Sequence, residues 1–224
     1  VARYAREAEP LARRVVGRIA ADFDRVLSGS GESVLGNAVA DAQWHATREA
    51  RAGGADLALM NPGGLRADLL RDPHTGNLTY AQLFAAQPFG NTLVTMTLSG
   101  AQLRQLLEQQ FPANPNEAPR VLLPSSSLRY SFDLTRPAGQ RVFDLQVGGQ
   151  PVRESQNYRV TVNSFLASGG DRFTLLREGR DLVGGPLDVQ ALEDYLAAHP
   201  GLQPPATDRI RGDRRVGRAT NPGD

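Results

Sequence analysis

The sequence predicts an α+β domain: a single body with a mixed, largely antiparallel sheet packed by helices and preceded by an N-terminal linker helix. Three observations carry that expectation. Apolar residues recur at helical spacing in several stretches, as in Leu103, Leu106, Leu107 and Phe111. Elsewhere they alternate with polar residues, as in Leu128, Tyr130, Phe132 and Leu134, the pattern of a half-buried antiparallel strand. Several such alternating runs follow one another instead of arriving one per helix, and 224 residues suffice for one core plus an accessory segment.

In chain order, Leu11, Val15, Ile19, Phe23 and Leu27 recur every four residues, with Val16 and Val26 beside them. This apolar stripe predicts a helix entered near Pro10, its charged side carrying Arg13, Arg14, Arg18, Asp22 and Arg25. Residues 1–27 are accordingly assigned to a connecting helix, 28–202 to the domain proper and 203–224 to a mobile Pro/Arg-rich tail. Ser28-Gly29-Ser30-Gly31 ends the first pattern, and a second helix is expected from about Glu32 to Arg51, with Leu35, Val39 and Ala42 inward. Gly36 inside that helix costs roughly 1 kcal/mol relative to Ala, a loss that close packing or a ligand would offset. Trp44 and His45 on the same helix are given structural roles.

Asp56-Leu57-Ala58-Leu59-Met60 is a short buried strand, and the polar segment 71–77 is dense in turn formers. Thr79 is placed to cap a short helix through Phe84, which Pro88-Phe89-Gly90 ends. Thr92 to Leu98 alternates as a strand, and Ser99 caps the helix of Leu103 to Phe111. After a loop from Pro112 to Pro124 come strands at 128–134, 143–147 and 158–162, with a hairpin turn at Gly148-Gly149. Val189, Leu192, Tyr195 and Leu196 place a last helix, and a short edge strand is expected near Ile210.

Composition narrows function. The net charge is +1, which gives no support for nucleic acid as main partner. All 25 basic residues are Arg, and there is no Cys, so disulfides, thiolate nucleophiles and Cys-ligated zinc are excluded. No apolar run reaches membrane-spanning length. The chain opens without a leader pattern, inside a charged stretch, as a mature or truncated fragment would. His45, His74 and His199 are scattered, and no Gly-x-Ser-x-Gly, phosphate-loop or dinucleotide fingerprint occurs. On residues alone, the chain is equipped to bind and not to catalyse, with no catalytic and no metal residues assigned.

The binding candidates lie in three stretches: Asn61-Pro62-Gly63-Gly64-Leu65-Arg66, Gln87-Pro88-Phe89-Gly90-Asn91, and Asn163-Ser164-Phe165-Leu166-Ala167-Ser168-Gly169-Gly170-Asp171. The first is either a tight turn after a strand or a loop whose glycines adopt angles closed to other residues and present N–H groups to an anionic or polyhydroxyl ligand. Phe89 and Phe165 either plug the local core or hold a planar base between their faces. Asp171 either caps the next segment or accepts hydrogen bonds from ribose hydroxyls.

Taken in order, these stretches resemble the C-terminal domain of the 5'-nucleotidase family, which includes UDP-sugar hydrolases. The run also includes Glu32-Ser33-Val34-Leu35-Gly36-Asn37 with Ala40-Asp41-Ala42, Gly54 to Met60, Gly76-Asn77-Leu78-Thr79-Tyr80 and Leu98-Ser99-Gly100. It covers most of residues 30 to 175. The resemblance implies a substrate-binding domain joined by a helix to an N-terminal dimetal phosphoesterase domain. That catalytic domain is not among these residues, so the metal pair would sit in it and no cofactor in this chain.

The resemblance further implies base stacking by Phe89 and Phe165, sugar and phosphate contacts from Asn61 and Arg66, and ribose binding by Asp171. The substrate-binding set it implies is Asn61, Gly63, Gly64, Arg66, Phe89, Asn91, Asn163, Phe165, Gly170 and Asp171. A nucleotide or nucleoside is the implied ligand, the phosphoesterase domain of the same polypeptide the implied partner, and export to the periplasm or cell surface the implied destination. Alternatives are a non-catalytic module retaining the fold, or an enzyme of the same class acting on nucleotide sugars or 2',3'-cyclic nucleotides. Two departures stand out. Ser28-Gly29-Ser30-Gly31 occupies the place where relatives often carry a second phosphate-binding Arg, a role Arg25 is available to fill. Arg172 stands where Gly is common.

Overall fold

The computed structural model describes residues 9–114 and 117–214. Its elements run β1 (Val15–Arg18), α1 (Val34–Thr47), β2 (Leu57–Met60), β3 (Asn77–Thr79), α2 (Tyr80–Ala86), β4 (Thr92–Ser99), α3 (Gly100–Glu108) and β5 (Leu123–Pro124). They continue as β6 (Leu128–Phe132), β7 (Val142–Val147), β8 (Gln150–Pro151), β9 (Asn157–Asn163), α4 (Ser164–Ala167), β10 (Arg180–Leu187), α5 (Asp188–Ala198) and β11 (Ile210–Arg211). The α+β class is therefore observed. The strands divide among three sheets: five in the order β10-β4-β9-β2-β5, four as β11-β6-β7-β8, and the pair β1-β3. Among the described strand pairs β2–β9 and β11–β6 are parallel and the others antiparallel.

The helix starts expected at Thr79 and Ser99 are present. Ser99 accepts from the Gln102 amide while the Gln102 side chain returns to the Ser99 amide, a reciprocal capping box. At the start of α2 the Gln82 side chain accepts from both the Thr79 amide (2.8 Å) and the Thr79 hydroxyl (3.1 Å). Ser33, not named as a cap from the sequence, caps α1 by accepting from the Gly36 amide, so the helix starts at Val34 and not near Glu32.

Two apolar cores flank the five-stranded sheet. One joins that sheet to α3 and the four-stranded sheet through Leu57, Leu59, Met96, Leu106, Phe132 and Val160. The other joins it to α1, α5 and the N-terminal segment through Val39, Met60, Phe23, Ile19 and Leu196. All four residues of β2 are buried because each face of the strand meets a core, which is why it reads as a continuous apolar run. Gly36 lies against Leu123, where an added Cβ would come within 2.2 Å of a methyl, so close packing accounts for it. Trp44 donates its indole N–H to the Ala55 carbonyl at 3.0 Å, a structural role.

The connecting helix over 11–27 is corrected. Before β1 the described helical residues are 9–13 alone; the chain is then extended, with β1 pairing β3 and further bridges from Ile19 to Leu202 and from Phe23 to Leu69. A spacing of four is also two strand periods, so the stripe did not discriminate. Val16, Ile19 and Phe23 are buried in the second core, which ties this segment into the same body as 28–202. The edge strand expected near Ile210 is observed as β11 pairing β6, and the tail assigned from residue 203 is anchored there, with Arg209 and Ile210 buried. Residues 1–8 and 215–224 lie outside the described residues.

Candidate functional site

Sheet topology brings the three candidate stretches to one edge. Because β2 and β9 are parallel, their C-terminal ends, Asn61 and Asn163, emerge side by side. Because β4 is antiparallel to β9, with Leu93 opposite Asn163, the Phe89–Asn91 turn that feeds β4 arrives at that same edge.

There Asn61, Gly63, Gly64, Phe89, Asn91, Phe165 and Asp171 line a cavity of about 470 Å³. Phe89 is 57% exposed and Phe165 45%, so neither plugs the core. Gly170 lets the Phe165 ring lie over the backbone, since an added Cβ would stand 2.5 Å from a ring carbon.

A relay of side chains fixes the carboxylate. The Leu166 amide donates to Asn163 Oδ1 (2.9 Å), Asn163 Nδ2 donates to Asn61 Oδ1 (2.9 Å), and Asn61 Nδ2 donates to Asp171 Oδ2 (2.7 Å). Asn163 and Asn61 are buried, so each amide must find partners, and the relay satisfies them. Asp171 Oδ1 keeps no protein partner among the described residues, which leaves it free to accept from a ligand hydroxyl.

Asn91, also on the cavity wall, accepts from Ser164 Oγ at 3.3 Å, and its backbone carbonyl accepts from the Asp188 amide at 2.8 Å. Burial pushes the Asp188 carboxyl above its ordinary range, against the pull of the Val189 amide and the Asn91 side chain. Asp188 escaped the sequence reading. Its only signal was an Asp directly ahead of the apolar period of α5.

The glycine loop differs from expectation. Pro62–Gly64 is a 3-10 turn in which Gly64 donates its N–H to the Asn61 carbonyl at 3.1 Å, so that amide is engaged within the loop. Neither Gly63 nor Gly64 has positive φ. Their size is what matters: a Cβ at Gly64 would meet Met60 Cε at 2.5 Å, and one at Gly63 would stand near Asn61 and Asp171 at the cavity wall. The left-handed residues are instead Gly90 (φ 63°), Gly169 (85°), Asp171 (52°) and Arg172 (70°). Asp tolerates that region and Arg does so at a cost, which explains why a Gly would suit position 172.

Of the sequence-predicted residues, Asn163 and Gly170 sit behind the cavity wall as supports. Arg66 is exposed, donates its backbone N–H to the Ala86 carbonyl, and does not line the cavity. Arg25 pairs with Asp68 (2.9 Å) and donates to the Leu65 carbonyl, bracing the loop. Arg172 pairs with Glu117 at 2.7 Å. Among the described residues no three His, Asp or Glu side chains converge to hold a metal ion, and no helix is long and apolar enough to cross a membrane.

Two open aromatic rings and a braced carboxylate thus flank one cavity at one edge of a mixed sheet. The chain belongs to the 5'-nucleotidase, C-terminal domain family, whose model matches residues 15–178. It is 32% identical to a 5'-nucleotidase-related protein of Glossina morsitans morsitans, over 88% of this chain and 38% of that protein. Among solved structures it is similar to a 5'-nucleotidase precursor from Thermus thermophilus, with 36% identity and a TM-score of 0.80 over 94% of this chain and 41% of that one. The NAD nucleotidase of Haemophilus influenzae shares the fold, with a TM-score of 0.75 at 22% identity over 94% of this chain and 40% of that one. The chain thus spans about two fifths of the length of these relatives.

Proposed function

We propose that this chain is the nucleotide-binding domain of a 5'-nucleotidase-type phosphoester hydrolase. Phe89 and Phe165 hold the base, and Asp171, oriented by Asn61 and Asn163, takes the ribose hydroxyls. The observation that carries this reading is the pair of exposed phenylalanines on one cavity with a carboxylate whose second oxygen is unengaged. Stacking is worth about 1–3 kcal/mol per base, which converts to about 5- to 150-fold in affinity for each ring.

Hydrolysis to nucleoside and phosphate belongs, in this reading, to a metallophosphoesterase domain of the full-length protein, which would hold the divalent metal pair and supply the attacking water. This chain's part is to select and orient the substrate; alone it turns nothing over. Export to the periplasm or cell surface goes with the same reading, in keeping with a relative described as a precursor. Arg172, which stands where Gly is common, has its charge paired with Glu117.

Calorimetric titration with AMP, adenosine and UDP-glucose tests the proposal. Saturable binding of at least one is expected, and Phe89→Ala with Phe165→Ala abolishes it. Binding that survives the double change, or metal-dependent turnover by the chain alone, would count against it.

A further inference from the structure

Asn91 stands on the wall of the aromatic cavity with Phe89 and Phe165, and two side chains from other parts of the fold hold its amide. Ser164, the residue before Phe165, donates its hydroxyl to Asn91 Oδ1 at 3.3 Å, and Asn91 Nδ2 donates to Asp188 Oδ2 at 3.4 Å. The end of β10 brings Asp188 there: Leu187 lies opposite Thr92, and the Asp188 amide donates to the Asn91 carbonyl at 2.8 Å. Asn91 thereby ties the loop of Phe89 to the loop of Phe165.

Asp188 is an unusual partner. It is 2% exposed, and no Arg or His pairs with it among the described residues; Oδ1 takes the Val189 amide at 2.8 Å and Oδ2 takes Asn91. A carboxylate buried without a cation costs stability, which its place at the start of α5 offsets in part. What the charge adds is chemical. A carboxylate only accepts, so it dictates which end of the Asn91 amide is nitrogen. The Ser164 hydroxyl, able to donate or accept, follows that choice.

We infer that Asp188 is a positioning residue that locks the Asn91 amide in one orientation, and that the locked amide makes the aromatic cavity discriminate bases carrying an amino group from bases carrying an oxo group at the same carbon. The inference rests on the nucleotide-binding reading. With one N–H given to Asp188 and one lone pair of Oδ1 taken by Ser164, Asn91 keeps one donor and one acceptor for a base edge. Adenine presents a donor and then an acceptor, at its exocyclic amine and the adjacent ring nitrogen. Hypoxanthine presents the reverse, at its oxo group and the adjacent ring N–H. An amide free to turn over serves both by exchanging its ends. A locked amide serves one edge and sets donor against donor, and acceptor against acceptor, on the other.

Calorimetric titration of adenosine and inosine, which differ only at that edge, into the chain and into Asp188→Asn tests the lock. Both are run at about pH 8, far above the ordinary carboxyl range, so that Asp188 is charged despite the burial that raises its pKa. In the parent the two affinities are expected to differ by about tenfold or more. Asn at position 188 donates as well as accepts, so the Asn91 amide is free to turn over. The ratio is then expected to fall below about threefold, with the poorer ligand binding more tightly than it does to the parent. A general loss of structure weakens both ligands and cannot produce that gain. Asp188→Ser, which also donates and accepts, serves in place of Asp188→Asn if the latter does not fold. A parent ratio below about threefold, a ratio that survives the substitution, or a fall through the better ligand alone overturns the lock and leaves the nucleoside site standing. Absence of binding by either nucleoside overturns that site and the inference with it.

Discussion

Arg209 and Asp171 stand in two polar clusters built from the same residue types and put to opposite uses. Arg209 is 5% exposed. Its guanidinium donates to both Asp41 oxygens (3.0 and 2.6 Å) and to the Asn37 and Pro124 carbonyls, while Glu32 accepts from the Arg209 and Ile210 amides and from Asn37 Nδ2. This cluster stitches β11 to the start of α1. At the cavity the relay from Asn163 through Asn61 stops at Asp171, with one oxygen unpartnered among the described residues, two aromatic rings in the open, and Asp171 and Arg172 both in the left-handed region. The first cluster engages its guanidinium and carboxylates internally, although Asn37 Oδ1 within it is buried without a partner among the described residues; the second leaves a carboxylate oxygen and two rings open, the groups that the proposed ligand would use.

The comparison breaks most visibly at Arg209. Arg209→Ala leaves the Asp41 carboxylate buried without its cation, a loss of about 3–5 kcal/mol. For a chain of this size that lowers the melting temperature by roughly 6–20 °C. Urea or thermal unfolding reads the change, and an unaltered midpoint would show that the cluster contributes nothing. Phe89→Ala, by contrast, changes stability by no more than about 0.5 kcal/mol, as expected of an exposed side chain, and its effect is confined to binding.

A smaller effect sharpens the cavity side of the contrast. Arg172→Gly relieves left-handed strain of about 1–2 kcal/mol. It gives up an exposed pair with Glu117 worth at most about 1 kcal/mol and gains unfolded-chain entropy. The net is a stabilisation of roughly 0.5 kcal/mol, visible as a melting point higher by about 1–2 °C; a lower melting point would mean that the strain is not stored there.

The smallest effect lies on the packed side, where His45 contacts Tyr195 and His199 at ring-centroid distances of 5.4 and 5.3 Å. Burial holds the His45 pKa below its ordinary value, with Arg48 and then His199 adding to the shift and Glu49 opposing it. A folded-state pKa below the unfolded one means that the unfolded chain binds the extra proton first. The stability His45 contributes is therefore complete above the ordinary imidazole pKa of about 6.5 and is lost as pH falls below it. Melting temperatures between pH 7.5 and 5.5 should fall less in His45→Gln than in the parent; parallel curves would remove His45 from the account.

Much of the architecture was legible from local signals. Helix starts at Thr79 and Ser99, the alternation in β6, β7 and β9, and the apolar run of β2 depend on neighbours within a few residues, so the sequence displays them. β10 was not legible. Its Gly184-Gly185-Pro186 argues against a strand, and only its position at the sheet edge, paired to β4 alone through an irregular register, tolerates it. The N-terminal stripe misled because a four-residue spacing suits both periods, and the choice fell to Phe23 and Ile19 finding partners at Leu69 and Leu202. Arg66 and Arg25 stood beside the right loop in sequence. Where a guanidinium points is set by contacts that a linear motif does not contain.

By itself, the sequence determined the fold class, the family resemblance over residues 30–175, the three cavity-lining stretches and the two aromatic candidates, because spacing, turn chemistry and residue type are written locally. Tertiary structure alone decided that β2 and β9 run parallel and so gather those stretches at one edge. It also decided that Glu32, Asn37 and Asp41 serve Arg209, and that Ser164 and Asp188, far from Asn91 in the chain, both hold its amide at the cavity wall. Those outcomes depend on contacts between residues distant in sequence, which form only when the sheet and its two cores assemble.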